Sequence, residues 1–390
     1  MRKIRHKKNI IIIFLLLIIC EMFLTSCIPV VELNKRGLIE SIAIDYKDGK
    51  FISSFQMFNS SASIGANGAE SQGDNFIVKS EGKTIMESMK RTSLKQDRRL
   101  YYRVTNVIIL GREIFLDRKI YKQTIDFLNK TYMDSPNVYV VMADKEASDI
   151  IEADIEQSDV QSNFVLDTLK NAEKQSYIKK VHLEDIVMSL DDFNTAAIIP
   201  VIKKNEIEDD KEELQIKGIG VIKDGLLRGI ISEDDVKYIR LLDNKKSKLT
   251  FSLLTKRYGR CDFSVLKKDV KIKSKIENNK INFYIDLKLK SALMENEMGC
   301  NINDLSVEDI KVLELDQNEY FRSNISKLLK KLLKEYKADI LYFTNDVYRD
   351  NYDFWRENKD RWNNVLEEAA VFIKVETDVF KSSVEKSKDY

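Results

Sequence analysis

Ile281-Asn282-Phe283-Tyr284-Ile285-Asp286-Leu287-Lys288-Leu289 alternates apolar and polar side chains through five matches to a period of two. Successive side chains of an extended strand point to opposite faces, so all five apolar residues share one face and the stretch reads as a half-buried strand. Immediately upstream, Val270, Ile272 and Ile276 alternate as far as Asn278-Asn279. The two runs form a long hairpin in a sheet expected to be antiparallel, with one face in water. Downstream, Phe321, Ile325, Leu328, Leu329, Leu332, Leu333 and Tyr336 recur at helical spacing, with Lys327, Lys330, Lys331, Lys334 and Lys337 on the other sides. Such a stripe is expected to pack on the sheet and leave its lysines in solvent. Trp355 and Trp362, seven residues apart, are expected on one helical face as core side chains.

The first half has a different rhythm. Ile42, Ile44 and Tyr46 alternate up to Asp48-Gly49, and Phe51, Ser53 and Phe55 alternate on the way back. Asp-Gly between alternating runs is a strong hairpin signal. Asn59 to Asn75 carries three glycines and no apolar period, and reads as a surface loop. A helix follows from Thr84 with Ile85, Met86, Met89 and Leu94 on one face. Next come a buried strand over Val104 to Leu110, a helix lined by Tyr121, Ile125 and Leu128, a second buried strand over Val138 to Met142, and a helix carrying Val160, Phe164, Val165 and Leu169. Strand and helix in alternation imply a layered α/β arrangement. Another Asp-Gly hairpin runs from Ile216 to Ile231 around Asp224-Gly225. The fold class is therefore α+β or mixed α/β, multi-domain, with mixed and antiparallel sheets packed with helices.

The start of the chain sets its topology. Arg2, Lys3, Arg5, Lys7 and Lys8 precede an unbroken apolar run of 11 residues from Ile10 to Cys20, and then come Leu24-Thr25-Ser26-Cys27. A spanning helix needs about 20 apolar residues, whereas a run of about 10 to 14 suits a signal h-region. Small residues before a cysteine make Leu24, Thr25 and Ser26 a lipobox. Residues 1–26 are expected to be cleaved, leaving Cys27 to carry the diacylglycerol and acyl lipid. The other reading is an uncleaved anchor over residues 10–24. Both place the body outside the cytoplasm on a tether.

Removing residues 1–26 leaves 364 of 390, and subtracting five basic and one acidic residue from 64 and 63 leaves 59 and 62. A net charge near −3 provides no global field that points at nucleic acid or at an anionic bilayer. A chain this long divides into domains. The expected layout is an N-terminal α/β region over 27–202 that can divide again near 150, a charged linker over 203–213, and a C-terminal α+β domain over 214–390. Cys261 and Cys300 can form a disulfide or stay as buried thiols.

Catalytic equipment is sparse. After cleavage the remaining histidine is His182, in Val181-His182-Leu183-Glu184-Asp185, so a multi-histidine metal site is ruled out and a Ser-His-Asp triad would have to use that ring. Glu184 and Asp185 are neighbours on a helix and do not face each other. No Gly-x-Ser-x-Gly elbow occurs. Asp191-Asp192 and Asp209-Asp210 read as solvated edges. The expectation is no enzyme activity, no catalytic residue, no metal and no cofactor beyond the lipid on Cys27; no ligand-binding residue is assigned.

Together these pieces resemble the Ger(x)C family, the lipoprotein C subunits of spore nutrient germinant receptors. The resemblance rests on the lipobox at Cys27, Ser41-Ile42-Ala43-Ile44-Asp45, and Arg98-Arg99-Leu100-Tyr101-Tyr102 followed by Asn106-Val107-Ile108-Ile109-Leu110-Gly111. It also rests on Lys217-Gly218-Ile219-Gly220-Val221, on Tyr336-Lys337-Ala338-Asp339-Ile340, and on Trp355 and Trp362 before a final strand Val371 to Val375. Two departures stand out: Ile28-Pro29-Val30 follows Cys27 in place of the family's Trp-Asp, and Thr105 stands near the family's histidine. The resemblance implies a non-enzymatic subunit on the outer face of the inner spore membrane. It would work with two polytopic A- and B-type subunits in receptor assembly and signal relay. Two further readings are a solute-binding lipoprotein with two similar lobes, and an envelope hydrolase.

Overall fold

The computed structural model describes residues 36–58, 75–133, 135, 137–155, 161–191, 196–207, 211–243, 248–299 and 302–380. Leu24, Thr25, Ser26 and Cys27, the loop between Asn59 and Asn75, Asp192, Asp209-Asp210 and Cys300 lie outside the described residues.

The first unit is built on a mixed sheet. β1 (Arg36–Lys47) turns through Asp48-Gly49 into β2 (Lys50–Phe58), and β3 (Asn75–Gly82) follows. Both turn residues have positive φ, 52° and 75°, which is the geometry whose twist matches two right-handed strands. α1 (Ile85–Ser93) is capped by the Thr84 hydroxyl, which accepts from the Glu87 N–H, while the Glu87 carboxylate accepts from the Lys83 N–H. Ile85 and Met89 turn inward, whereas Met86 and Leu94 are exposed, so the apolar face is narrower than its spacing suggested. The chain continues through β4 (Arg99–Tyr101), β5 (Val107–Leu110), α2 (Arg118–Thr131) and β6 (Tyr139–Ala143). Val104, expected inside the buried strand, lies in the turn before β5 and is exposed. Two helices, α3 (Ala147–Ile151) and α4 (Gln161–Lys174), then α5 (Leu183–Asp191), lead to β7 (Ala197–Glu206). β8 (Glu212–Lys223), β9 (Leu226–Ser232) and α6 (Glu233–Leu242) complete the unit.

The sheet order is β3-β2-β1-β5-β6-β7-β8-β9, with β4 also on β1; β1, β5, β6 and β7 are mutually parallel and the hairpin arms antiparallel. The central strands are apolar on both faces because both are covered. Ile42, Ile44, Ile108, Leu110, Val140 and Met142 pack with α1, α2 and α5, while Ala43, Val107, Ile109, Val141 and Ala143 pack with α3 and α4. Helix crossovers between parallel strands force this two-sided burial.

Within the expected linker at 203–213, residues 203–206 and 212–213 are strand residues of this sheet. Lys203 to Glu206 end β7 and pair with Glu212 to Gln215 of β8, with the Lys204 ammonium 2.6 Å from Glu212. The charge density there marks the exposed end of a hairpin, braced by that diagonal Lys204–Glu212 pair, while Glu206 lies opposite Glu212. β8 and β9, in the region expected to form the C-terminal domain from 214, are strands of this first sheet, and α6 follows them. Beyond the possible division near 150, α4 packs into the core on the same sheet. Gly218 allows the close packing of β8 against β9: its φ is +134°, and a Cβ there would meet the Ile231 carbonyl oxygen at 2.0 Å.

The second unit is a four-stranded sheet of order β10 (Leu249–Thr255), β11 (Gly259–Glu277), β12 (Lys280–Asn296), β13 (Ala370–Val379). Ile281, Phe283, Ile285, Leu287 and Leu289 are all buried on one face, each contributing roughly 1.5–3 kcal/mol of burial. β13 runs parallel to β12, so this sheet is mixed and not wholly antiparallel. The long helix α7 (Val307–Lys330), opened by a Ser306–Asp309 capping box, lays Leu313, Phe321, Ile325, Leu328 and Leu329 on the sheet and ends in a π turn over Lys331–Glu335. α8 (Phe343–Asp350), α9 (Tyr352–Asn358) and α10 (Trp362–Glu368) follow. Trp355 and Trp362 therefore lie on two helices and not on one face of one helix: a short 3-10 turn over Lys359–Arg361 breaks the periodicity between them. Cys261 is a buried free thiol.

The units are joined through α6, which shares one hydrophobic core with the second sheet. The Lys268 ammonium, from β11, donates to the carbonyls of Arg240 and Asp243 and to the Asp243 carboxylate, closing the C-terminus of α6. Tyr336 lies over Gly229 of the edge strand β9, where a Cβ would come within 2.2 Å of its hydroxyl. Among the described residues no helix is long and apolar enough to cross a membrane.

Candidate functional site

The carboxyl ends of β1, β5 and β6 converge on one polar crevice of about 570 Å³. Asp45, near the end of β1, is buried, and its carboxylate accepts from the backbone N–H groups of Ala147, at 2.5 Å, and Ser148, at 2.9 Å. Burial pushes its pKa above the ordinary carboxylate value, against those two donors, and the nearby Glu146 charge acts in the same sense as burial. Gly111 follows β5 because nothing larger fits: a Cβ there would lie 2.1 Å from an Asp45 oxygen. Asp144, just past β6, accepts from Arg112 at 3.2 Å and from the Lys217 ammonium, 2.8 and 2.7 Å from its two oxygens. Lys47 pairs with Glu146 at 2.5 Å.

Asp45, Gly111 and Lys217, which are far apart in sequence, thus meet here. Arg112 and Asp144 join them without having been picked out from sequence; the signal for Asp144 was its place directly after a buried strand. The crevice lining holds acids, bases and one tyrosine but no serine, threonine, cysteine or histidine. The carboxylates of Asp45, Asp144 and Glu146 are each met by backbone donors or by a neighbouring cation. That arrangement rigidifies the ends of three strands and presents a charged surface; it does not assemble a nucleophile with a base.

A second buried polar cluster lies in the other unit. Asp339 is 1% exposed and accepts from the backbone N–H groups of Leu341, Phe343 and Thr344 and from the Thr344 hydroxyl. The Trp362 indole N–H donates to that same hydroxyl at 2.8 Å. Burial raises the Asp339 pKa, opposed by the Thr344, Phe343 and Leu341 donors. Asp339 and Trp362 are therefore partners across the α7–α10 turnings, and their role is to hold that corner. Trp355 is partly buried, in a ring cluster with Tyr348 and Tyr352 at 4.8 and 6.0 Å.

His182 sits just ahead of α5 and its ring lies 4.6 Å from that of Tyr139. Its Nδ1 is 3.6 Å from Asp185, whose carboxylate also accepts from the His182 backbone N–H. The pairing closes the first turn of α5. Among the described residues no group of three or more His, Cys, Asp or Glu side chains is arranged to hold a metal ion.

Comparison with known proteins accounts for nearly the whole chain. A family described as Spore germination protein N-terminal domain matches residues 29–204, and Spore germination B3/GerAC like, C-terminal matches residues 217–383. The boundary between them falls in the charged hairpin end, although the strands on either side pair in one sheet. The chain is 22% identical to Spore germination protein KC of Bacillus subtilis, with 95% of each chain covered. It is also 22% identical to Spore germination protein B3 of the same organism, over 92% of this chain and 93% of that one. The crystal structure of the GerBC protein superposes with a TM-score of 0.54 at 17% identity, over 87% of this chain and 96% of that chain, which establishes a shared fold.

Proposed function

The chain belongs to the Ger(x)C family of spore germination proteins, and on that premise we propose that it is the C subunit of a nutrient germinant receptor, a non-enzymatic body held by an acylated Cys27. It stands on the outer face of the inner spore membrane beside two polytopic subunits of the A and B types, and serves receptor assembly and signal relay. The observation that carries this reading is the succession of both family domains, in order, from residue 29 to residue 383, directly behind the lipobox.

Physical considerations support it. A tether confines the body to the plane of its partners and raises their effective concentration, so a modest interface suffices. The shared core across α6 and the Lys268 closure make the two units suited to passing a displacement from one to the other. A solute-binding protein with two similar lobes fits poorly, since one sheet has nine strands with a parallel centre and the other has four. A hydrolase using His182 fits poorly as well, since that ring's neighbours are Tyr139 and Asp185.

The test is recovery of the complex. Detergent extraction of spore membranes and capture through a tag on this chain is expected to bring down two multi-spanning proteins in equal amounts. Recovery with a transporter permease instead would contradict the assignment.

A further inference from the structure

We infer that the end of the first sheet from which the tether emerges is itself a docking face for an anionic bilayer surface. This rests on the lipid anchor at Cys27 and adds to it an orientation and a second contact. β1 begins at Arg36, nine residues after Cys27. Nine extended residues reach at most about 30 Å, so the N-terminal end of β1 stays within roughly that distance of the lipid.

The fold gathers basic and aromatic side chains at that end. β4 pairs in parallel with the first residues of β1, placing Arg99 opposite Arg36 and Tyr101 opposite Leu38. The Arg36 guanidinium lies 4.8 Å over the Tyr101 ring. Arg98 is drawn in beside Gly37, whose absent side chain leaves room for it at 3.7 Å. The chain then turns through Arg103 and Val104, both exposed, before entering β5. The stretches 36–40 and 97–104 hold four basic residues, Arg36, Arg98, Arg99 and Arg103, against two acids, Glu40 and Asp97. Of these acids, Asp97 is 4.0 Å from Arg98, and Glu40 is half-buried with its pKa raised by burial. In a mature chain near −3 overall, this local excess of positive charge is a departure, and it lies where the tether requires the bilayer to be.

Anionic headgroups complement that charge, and tyrosine rings beside arginines suit the headgroup layer. A basic patch next to an acyl anchor is a two-signal attachment, in which the second contact fixes the orientation that the flexible tether alone leaves free. In the receptor this turns the β1–β4 end toward lipid and the crevice at Asp45 and Asp144, at the opposite ends of the same strands, away from it.

The test uses the mature chain from residue 27 onward, carrying Cys27→Ala so that no lipid is attached. At low salt it is expected to sediment with vesicles of equal parts phosphatidylglycerol and phosphatidylcholine and not with phosphatidylcholine alone. Each arginine near such a surface strengthens binding about fivefold, so Arg99→Glu with Arg103→Glu is expected to weaken it by roughly thirtyfold or more, with an unchanged melting curve. Lys271→Glu with Lys273→Glu, exposed on the second sheet, is the control expected to bind as the parent does. No sedimentation with the anionic vesicles, or equal loss in both double variants, overturns the inference. Because this chain carries no lipid, a bare Cys27 in native protein would refute the anchor while leaving the vesicle result readable by itself.

Discussion

A strain carrying Cys27→Ala is expected to lose this chain from its spore membranes and to germinate poorly on nutrient, with the folded body found in the soluble fraction. The size of the effect follows from the lipid. Each buried methylene contributes about 0.8 kcal/mol, so one acyl chain holds reversibly and two or more hold for the life of the spore. Without them the body keeps only its modest interface with the partner subunits and the electrostatic contact of its β1–β4 end, the second of which added salt screens. Membrane fractionation at low and high salt, read beside the germination rate, checks this. A Cys27→Ala strain that germinates fully while the protein is soluble would remove the tether from the account.

Asp339→Ala is expected to be the most damaging single change within the folded body. The carboxylate has four donors, three of them backbone N–H groups of Leu341 and of the first two residues of α8, and alanine supplies no acceptor. Each buried donor left unsatisfied costs about 1–3 kcal/mol. Relief of a desolvated acid returns part of that, and a net loss of about 3 kcal/mol remains. The Thr344 hydroxyl loses its fixed direction, and with it the Trp362 indole loses a placed acceptor, so Trp362 fluorescence is expected to report the same transition. The pH dependence has a definite sign. Burial raises the folded-state pKa, so the stability Asp339 contributes is fully present below the unfolded value near about 3.9 and is lost as pH rises through the folded value. The difference between parent and variant in denaturant melts is therefore expected to shrink from pH 4.5 to 7.5. A constant difference across that range would contradict it.

The parts of this fold that were legible in sequence are those fixed by neighbours in the chain. Asp48-Gly49, Asp224-Gly225 and Asn278-Asn279 all take up positive φ at both positions, and each closes a hairpin as expected. The alternation from Ile281 to Leu289 and the stripe on α7 bury the faces they were expected to bury. What was not legible depends on pairing at long range. The charges at 203–206 and 212–213 read as a linker because the pairing of β7 with β8 is visible only once the two strands are side by side. The Trp355–Trp362 spacing implied one helical face because nothing local announces the turn at Lys359–Arg361. Asp144 gave little signal because its meaning lies in Lys217, 73 residues away. Asp45 and Gly111 were recognised as pieces of a family pattern, but only their contact explains why a glycine must follow β5.

Mass spectrometry of the amino-terminal peptide of the chain purified from spore membranes tests the whole account most directly. The expected result is a mature chain beginning at Cys27, its sulfur carrying diacylglycerol and residues 1–26 gone. A peptide that still contains the leader, with Cys27 as a free thiol, would contradict it.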